Sequence, residues 1–186
     1  MSRIQKKGET TPLENQVANA LTEVQNGSEE AMKKSLSSLL ISGAKEVTVD
    51  GLKVVIITVP YKQIKAYRAA QGFLIPELEK RLDGAQVVIV AKRRAFPKNP
   101  EPKRRYKAIR PTGRTLRAVN EALLDDVVYP TAIVGKRVHY DLKGKQVTHV
   151  ILDQHDRTRV EERLGGFAAA YNKLTGLQTV FEVADH

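Results

Sequence analysis

Eleven lysines and arginines crowd into residues 92–117: Lys92, Arg93, Arg94, Lys98, Lys103, Arg104, Arg105, Lys107, Arg110, Arg114 and Arg117, against the single acid Glu101. The chain has 31 basic and 21 acidic residues, so taking out this segment leaves 20 of each; the formal charge of +10 therefore belongs to one local device. Four of the eight prolines, Pro97, Pro100, Pro102 and Pro111, fall there too, removing amide donors and disfavouring both helix and central strand. An extended loop over residues 92–113 is expected. Such a run of like charge repels itself and builds no core, so its ordering calls for a polyanion.

Arginine forks can hold phosphate through two donors and stack on exposed bases, and Phe96 and Tyr106 add further stacking faces. The expected RNA-contacting set is Lys92, Arg93, Arg94, Lys98, Lys103, Arg104, Arg105, Tyr106, Lys107, Arg110, Arg114 and Arg117. Six to ten phosphate contacts would cost roughly 10³–10⁵-fold in affinity between 50 and 200 mM salt, on the duplex scale. The bland alternative is a solvated basic loop, or a nuclear-import patch at Lys103-Arg104-Arg105.

Other residue types point away from catalysis. With no cysteine in the sequence, thiolate metal sites, thiol nucleophiles and disulfides are excluded. Pairing symmetric about Lys143-Gly144 sets His139 opposite Thr148 and His149 opposite Val138, which sends the imidazoles to opposite faces of a hairpin. His155 falls in a loop and His186 at the end, so no metal site is expected. Asp125-Asp126 reads as a solvated helix end, because neighbouring helical side chains diverge by about 100°. Gly135-Lys136 lacks the glycine and hydroxyl of a phosphate loop and belongs to a hairpin. Gly165-Gly166 inside a helical pattern calls for a close approach or a local break. Tyr61, Tyr67 and Tyr171 sit at core-type positions. No catalytic residue, cofactor or small-molecule substrate is implied.

The elements that must hold the basic loop follow from pattern. At 186 residues and 41% hydrophobic, the chain fits a single domain that buries roughly 70% of its unfolded surface. Thr11-Pro12-Leu13-Glu14 is a reciprocal cap for a helix bearing Leu13, Val17, Leu21 and Val24; a second, capped by Ser28, carries Met32, Leu36 and Leu39. Together they form an amino-terminal helical segment, 1–43. Asp50-Gly51 predicts a tight hairpin over 46–59, and the unbroken apolar run 54–59 predicts a strand buried on both faces. Apolar spacing predicts a helix over 64–82, with a kink or break near Pro76, and a buried strand at 87–91 that leads into the basic loop.

A helix with Leu116, Val119, Leu123 and Val127 ends before Pro130. A second hairpin covers 136–142 and 145–152, a last helix runs 156–174, and Gly176 precedes a strand at 179–183. These add up to an α/β fold: a mixed sheet with antiparallel hairpins, packed helices, and no solenoid-like repeat. The first eight residues lack a signal-peptide core, and no later run is long and apolar enough to span a bilayer, so no membrane role is expected.

Several stretches, read in order, carry a family resemblance: Pro76-Glu77-Leu78-Glu79-Lys80; Val87-Val88-Ile89-Val90-Ala91-Lys92-Arg93-Arg94; Arg114-Thr115-Leu116; Leu123-Leu124-Asp125-Asp126-Val127-Val128-Tyr129-Pro130; Ile133-Val134-Gly135-Lys136-Arg137; Tyr171-Asn172-Lys173-Leu174-Thr175-Gly176. Over nearly the whole chain this resembles the eukaryote-specific ribosomal protein seven family of the small subunit. The resemblance implies an α/β domain docked on small-subunit ribosomal RNA beside other small-subunit ribosomal proteins. It also implies a structural part in assembly and rRNA processing, with a cytoplasmic location after nucleolar passage, and it carries over no catalytic residue. Two rivals remain: an interaction module acting off the ribosome through the amino-terminal helices, and an RNA-processing enzyme using the basic loop for capture.

Overall fold

The structure is a computed structural model that describes residues 3–5, 9–27, 30–49, 51–97, 111–140, 142 and 144–184. Helix α1 (Pro12–Gly27) opens with the reciprocal cap that its sequence encodes. Thr11 N donates to Glu14 Oε2 at 2.9 Å and Glu14 N donates to Thr11 Oγ1 at 3.3 Å. Helix α2 (Glu30–Ser37) follows; Ser28 lies outside the described residues. Strands β1 (Gly43–Val49) and β2 (Leu52–Pro60) then pair antiparallel with Val49 opposite Leu52, so the turn is two residues, and Gly51 supplies its left-handed φ of 81°.

Helix α3 (Ile64–Arg81) returns the chain to β3 (Gln86–Lys92), which lies parallel to β2. Pro76 stands inside α3 without ending it, so of the kink or break expected there the break does not occur. A helical proline clashes with the carbonyl four residues earlier and leaves it unbonded. Here that residue is Gly72, which bears no side chain and is exposed, as Pro76 is, so its carbonyl can turn to water.

Beyond the basic segment, α4 (Leu116–Val128) stops before Pro130. Strands β4 (Ile133–Tyr140) and β5 (Gln146–Leu152) form the second hairpin, and β6 (Gln178–Val183) joins parallel to β5. The helix expected over 156–174 comes in pieces: α5 (Arg157–Val160), a 3₁₀ turn at Glu161–Arg163, and α6 (Leu164–Thr175). At Gly166 the close approach is real, because a Cβ there would collide with the side-chain amide of Gln86, which donates to the Arg163 carbonyl at 3.2 Å.

Strands β1-β2-β3 and β4-β5-β6 form two separate sheets, each mixed as expected, rather than one. Their order repeats, since a helix, an antiparallel hairpin, a helix and a parallel strand occur in that sequence in both halves. The repeat survives in residues too. Leu82-Asp83-Gly84-Ala85-Gln86-Val87-Val88-Ile89 and Leu174-Thr175-Gly176-Leu177-Gln178-Thr179-Val180-Phe181 place leucine, glycine, glutamine and valine at matching points, and both glycines have φ near 70° (72° and 74°).

Both faces of the first sheet are covered. Val55, Ile57, Val87 and Ile89 pack under α1 and α3 with Val17, Leu21 and Leu74. Val54, Ile56, Val88 and Val90 meet α4, α6 and the second sheet through Leu124, Phe167, Val150 and Phe181. Tyr67 is fully buried; it donates to the Leu40 carbonyl at 3.0 Å, and burial pushes its phenol well above its usual range. Tyr171 is buried as expected, whereas Tyr61 is 63% exposed.

Phe167, 5% exposed, packs edge-on to Phe181 at 6.1 Å between the two sheets. Phe167→Ala is expected to cost about 3–5 kcal/mol in urea unfolding, through lost transfer energy and a cavity. Phe73→Ala, at a site 41% exposed, should stay within about 0.5 kcal/mol.

Candidate nucleic-acid interface

The basic segment leaves the first sheet at the end of β3, where Lys92 is exposed. Arg93, the next residue, turns inward. Its Nη2 donates to Asp126 Oδ1 at 3.1 Å and its Nη1 pairs closely with Oδ2. Arg68, reaching across from α3, adds a bond from Nη2 to Oδ1 at 2.8 Å. The Ala91 amide completes the set, donating to Oδ2 at 3.0 Å. Asp126 is 1% exposed, so burying its charge is tolerable only because two guanidinium groups and one amide fill its acceptor sites. Two cations share one anion here, leaving a net positive charge at the root of the arm.

Rings back both guanidiniums: Arg93 lies over Tyr61 at 5.6 Å and Arg68 over Tyr129 at 4.8 Å. This is the place of Tyr61, outside the core. It also overturns the reading of Asp125-Asp126 as a solvated pair, since Asp125 is exposed and Asp126 is not. Helical spacing gives the reason: Asp126 follows Val119 by seven residues and Leu123 by three, which puts it on the apolar stripe of α4.

The arm's other end is tied down as well. Phe96 N donates to the Arg114 carbonyl at 2.8 Å, and the Arg114 guanidinium lies over the Phe96 ring at 5.4 Å. Thr115 then caps α4, accepting from Ala118 N at 3.2 Å. Phe96 and Arg114 thus hold the two ends of the basic segment together. Lys98, Lys103, Arg104, Arg105, Tyr106, Lys107 and Arg110 lie outside the described residues. Of the remaining expected contacts, Arg93 is committed to Asp126 and Arg117 pairs with Glu121 at 3.2 Å on the exposed face of α4. Lys92, Arg94 and Arg114 are exposed and make no ion pair with a described residue.

The second hairpin departs from expectation in register. His139 lies opposite Val147 and Arg137 opposite His149, so residues 141–145 make a five-residue connection. That one-residue shift moves both imidazoles to one face, where their rings meet edge-on at 5.0 Å. His149 Nδ1 also contacts Glu182 Oε1 at 2.8 Å. Among the described residues no group of three or more His, Asp or Glu side chains is arranged to hold a metal. Gly135-Lys136 lies within β4, as its hairpin reading requires.

Asp126→Asn should unfold at lower urea, at a cost of about 2–3 kcal/mol, below the roughly 3–5 of a fully buried pair because the Arg68 side chain is 36% exposed. Asp125→Asn should leave the midpoint within about 0.5 kcal/mol of the parent.

The sequence matches the family model described as Ribosomal protein S7e over residues 2–183. It is 41% identical to Small ribosomal subunit protein eS7z of Arabidopsis thaliana over 175 residues, spanning 94% of this chain and 90% of that one. Small ribosomal subunit protein eS7 of Drosophila melanogaster is 39% identical over 188 residues, spanning 100% and 96%. The Candida albicans protein of the same name is 41% identical over 174 residues, spanning 93% and 92%. A family match of that extent, joined to relatives near 40% identity over 90% or more of their lengths, shows that the chain belongs to the ribosomal protein S7e family.

Proposed function

We propose that this chain is a structural constituent of the small subunit of the eukaryotic cytosolic ribosome, and that it binds small-subunit ribosomal RNA through the arm at 92–117. It sits beside other small-subunit ribosomal proteins and contributes to subunit assembly and rRNA processing, passing through the nucleolus before reaching the cytoplasm. Family membership supports the ribosomal setting. The observation that carries the RNA reading is the confinement of all excess charge to one segment whose ends are both fastened to the folded core.

Fastening matters energetically. A segment anchored at both ends has fewer conformations to lose when it meets its partner, so more of the phosphate attraction is realised as affinity. Arg93 serves that anchor, while Lys92, Arg94, Arg114 and the cations between them face the polyanion. The interaction-module rival needs a free apolar face on α1, but Val17, Leu21 and Val24 are each at most 2% exposed. For the enzyme rival, the expected result is no turnover when purified protein meets labelled RNA and a divalent metal.

Replacing Arg94, Arg104, Arg105, Arg110 and Arg114 together by glutamine, with Arg93 kept, should abolish stable incorporation into small subunits in sucrose gradients. Undiminished co-sedimentation at 200 mM salt would refute the arm as the RNA contact.

A further inference from the structure

The hairpin of β4 and β5 carries a second, smaller excess of charge, which the balance outside the arm conceals. Residues 133–152 hold Lys136, Arg137, Lys143 and Lys145 against Asp141. Lys136, Arg137 and Lys145 are exposed and pair with no described acid, whereas Arg68, Arg81, Arg93, Arg117, Arg157 and Arg163 all do. Rings and apolar side chains stand among these cations. Tyr140 is 70% exposed, Leu142 is fully exposed, and the exposed His139 ring is propped edge-on against His149.

We infer that the β4–β5 hairpin is a second RNA contact, taking unpaired bases on Tyr140 from one face and His139 from the other, while Lys136 beside Tyr140, Arg137 beside His139 and Lys145 at the turn hold the flanking phosphates. Bases stack on tyrosine, histidine and guanidinium planes, and that chemistry needs rings and cations side by side on an exposed element. A protein strand added to the β4 edge fits less well. The edge is broken by a bulge between Ile133 and Gly135, and lysine is depleted from protein interface cores. The inference rests on the ribosomal reading for its partner, although its residues are separate from the arm.

The test compares the full chain with K136Q/R137Q/K145Q, with Y140A and with the arm glutamine variant, each binding a small-subunit rRNA transcript between 50 and 200 mM salt. The hairpin triple variant should flatten the plot of log affinity against log salt by about 0.7–0.9 per cation removed. Y140A should weaken binding roughly five- to hundred-fold with the slope unchanged. All these side chains are exposed, so unchanged thermal unfolding is expected to accompany both effects. An unaltered slope and affinity in the hairpin variants overturns this contact, whatever the arm variant does. Loss confined to the hairpin variants, with the arm variant binding normally, sustains this contact and sinks the arm instead. Normal RNA binding by the hairpin variants, together with loss of a neighbouring ribosomal protein from assembled subunits, overturns it in favour of a protein interface.

Discussion

The Asp126 carboxylate draws together three parts of the chain that are far apart in sequence: Arg68 from α3, Arg93 from the root of the arm, and the amide of Ala91 at the end of β3. An ion this deep is stable only when its acceptor sites are filled, so the arrangement works as a lock. With Asp126 filled, the end of β3, the end of α4 and the face of α3 have one relative position. The chain therefore leaves the sheet in a fixed direction, and the first arginine of the basic segment is consumed in setting it. The hydrogen bond between Phe96 and Arg114 closes the far side.

This division of labour explains why the charge is so concentrated. A core built from sheet faces such as Val54, Ile56, Val88 and Val90 has no place for an unpaired cation, and most described arginines outside the arm are matched to acids. Cations destined for a polyanion must sit where nothing packs. Under the proposed RNA role, such cations fall in the proline-rich sequence of residues 92–117 and, on a smaller scale, at the exposed end of the β4–β5 hairpin. The basic segment falls between the two rounds of helix, hairpin, helix and strand and so adds to the repeated scaffold, whereas the β4–β5 hairpin is the second-half counterpart of β1–β2.

Much of the scaffold was legible because its signals are local. Thr11 and Glu14 are three residues apart, the Asp-Gly turn dictates its own geometry, and the run 54–59 lacks the alternation of a half-exposed strand. The misses share a cause in long-range information. Asp126 finds its partners 33 and 58 residues away, and an acid on an apolar stripe was the one available sign of them. The histidines changed faces because the hairpin connection is five residues long rather than the two of a turn at Lys143-Gly144, a difference that composition does not encode. A kink or break was expected at Pro76, and whether a helical proline ends its helix depends on the carbonyl four residues back, here that of the exposed Gly72. Of the expected RNA contacts, charge alone could not separate Arg93, which faces inward, from Arg94, which faces out.

Quantitative lysine labelling of the free protein, of intact small subunits and of subunits stripped by high salt would address the central claim most directly. If the tethered arm lies on RNA phosphate, Lys92, Lys98, Lys103 and Lys107 will be shielded in the subunit and regain full reactivity on salt release, while Lys173 on α6 supplies a reference outside the arm. Equal reactivity of the four arm lysines in all three states would contradict the account.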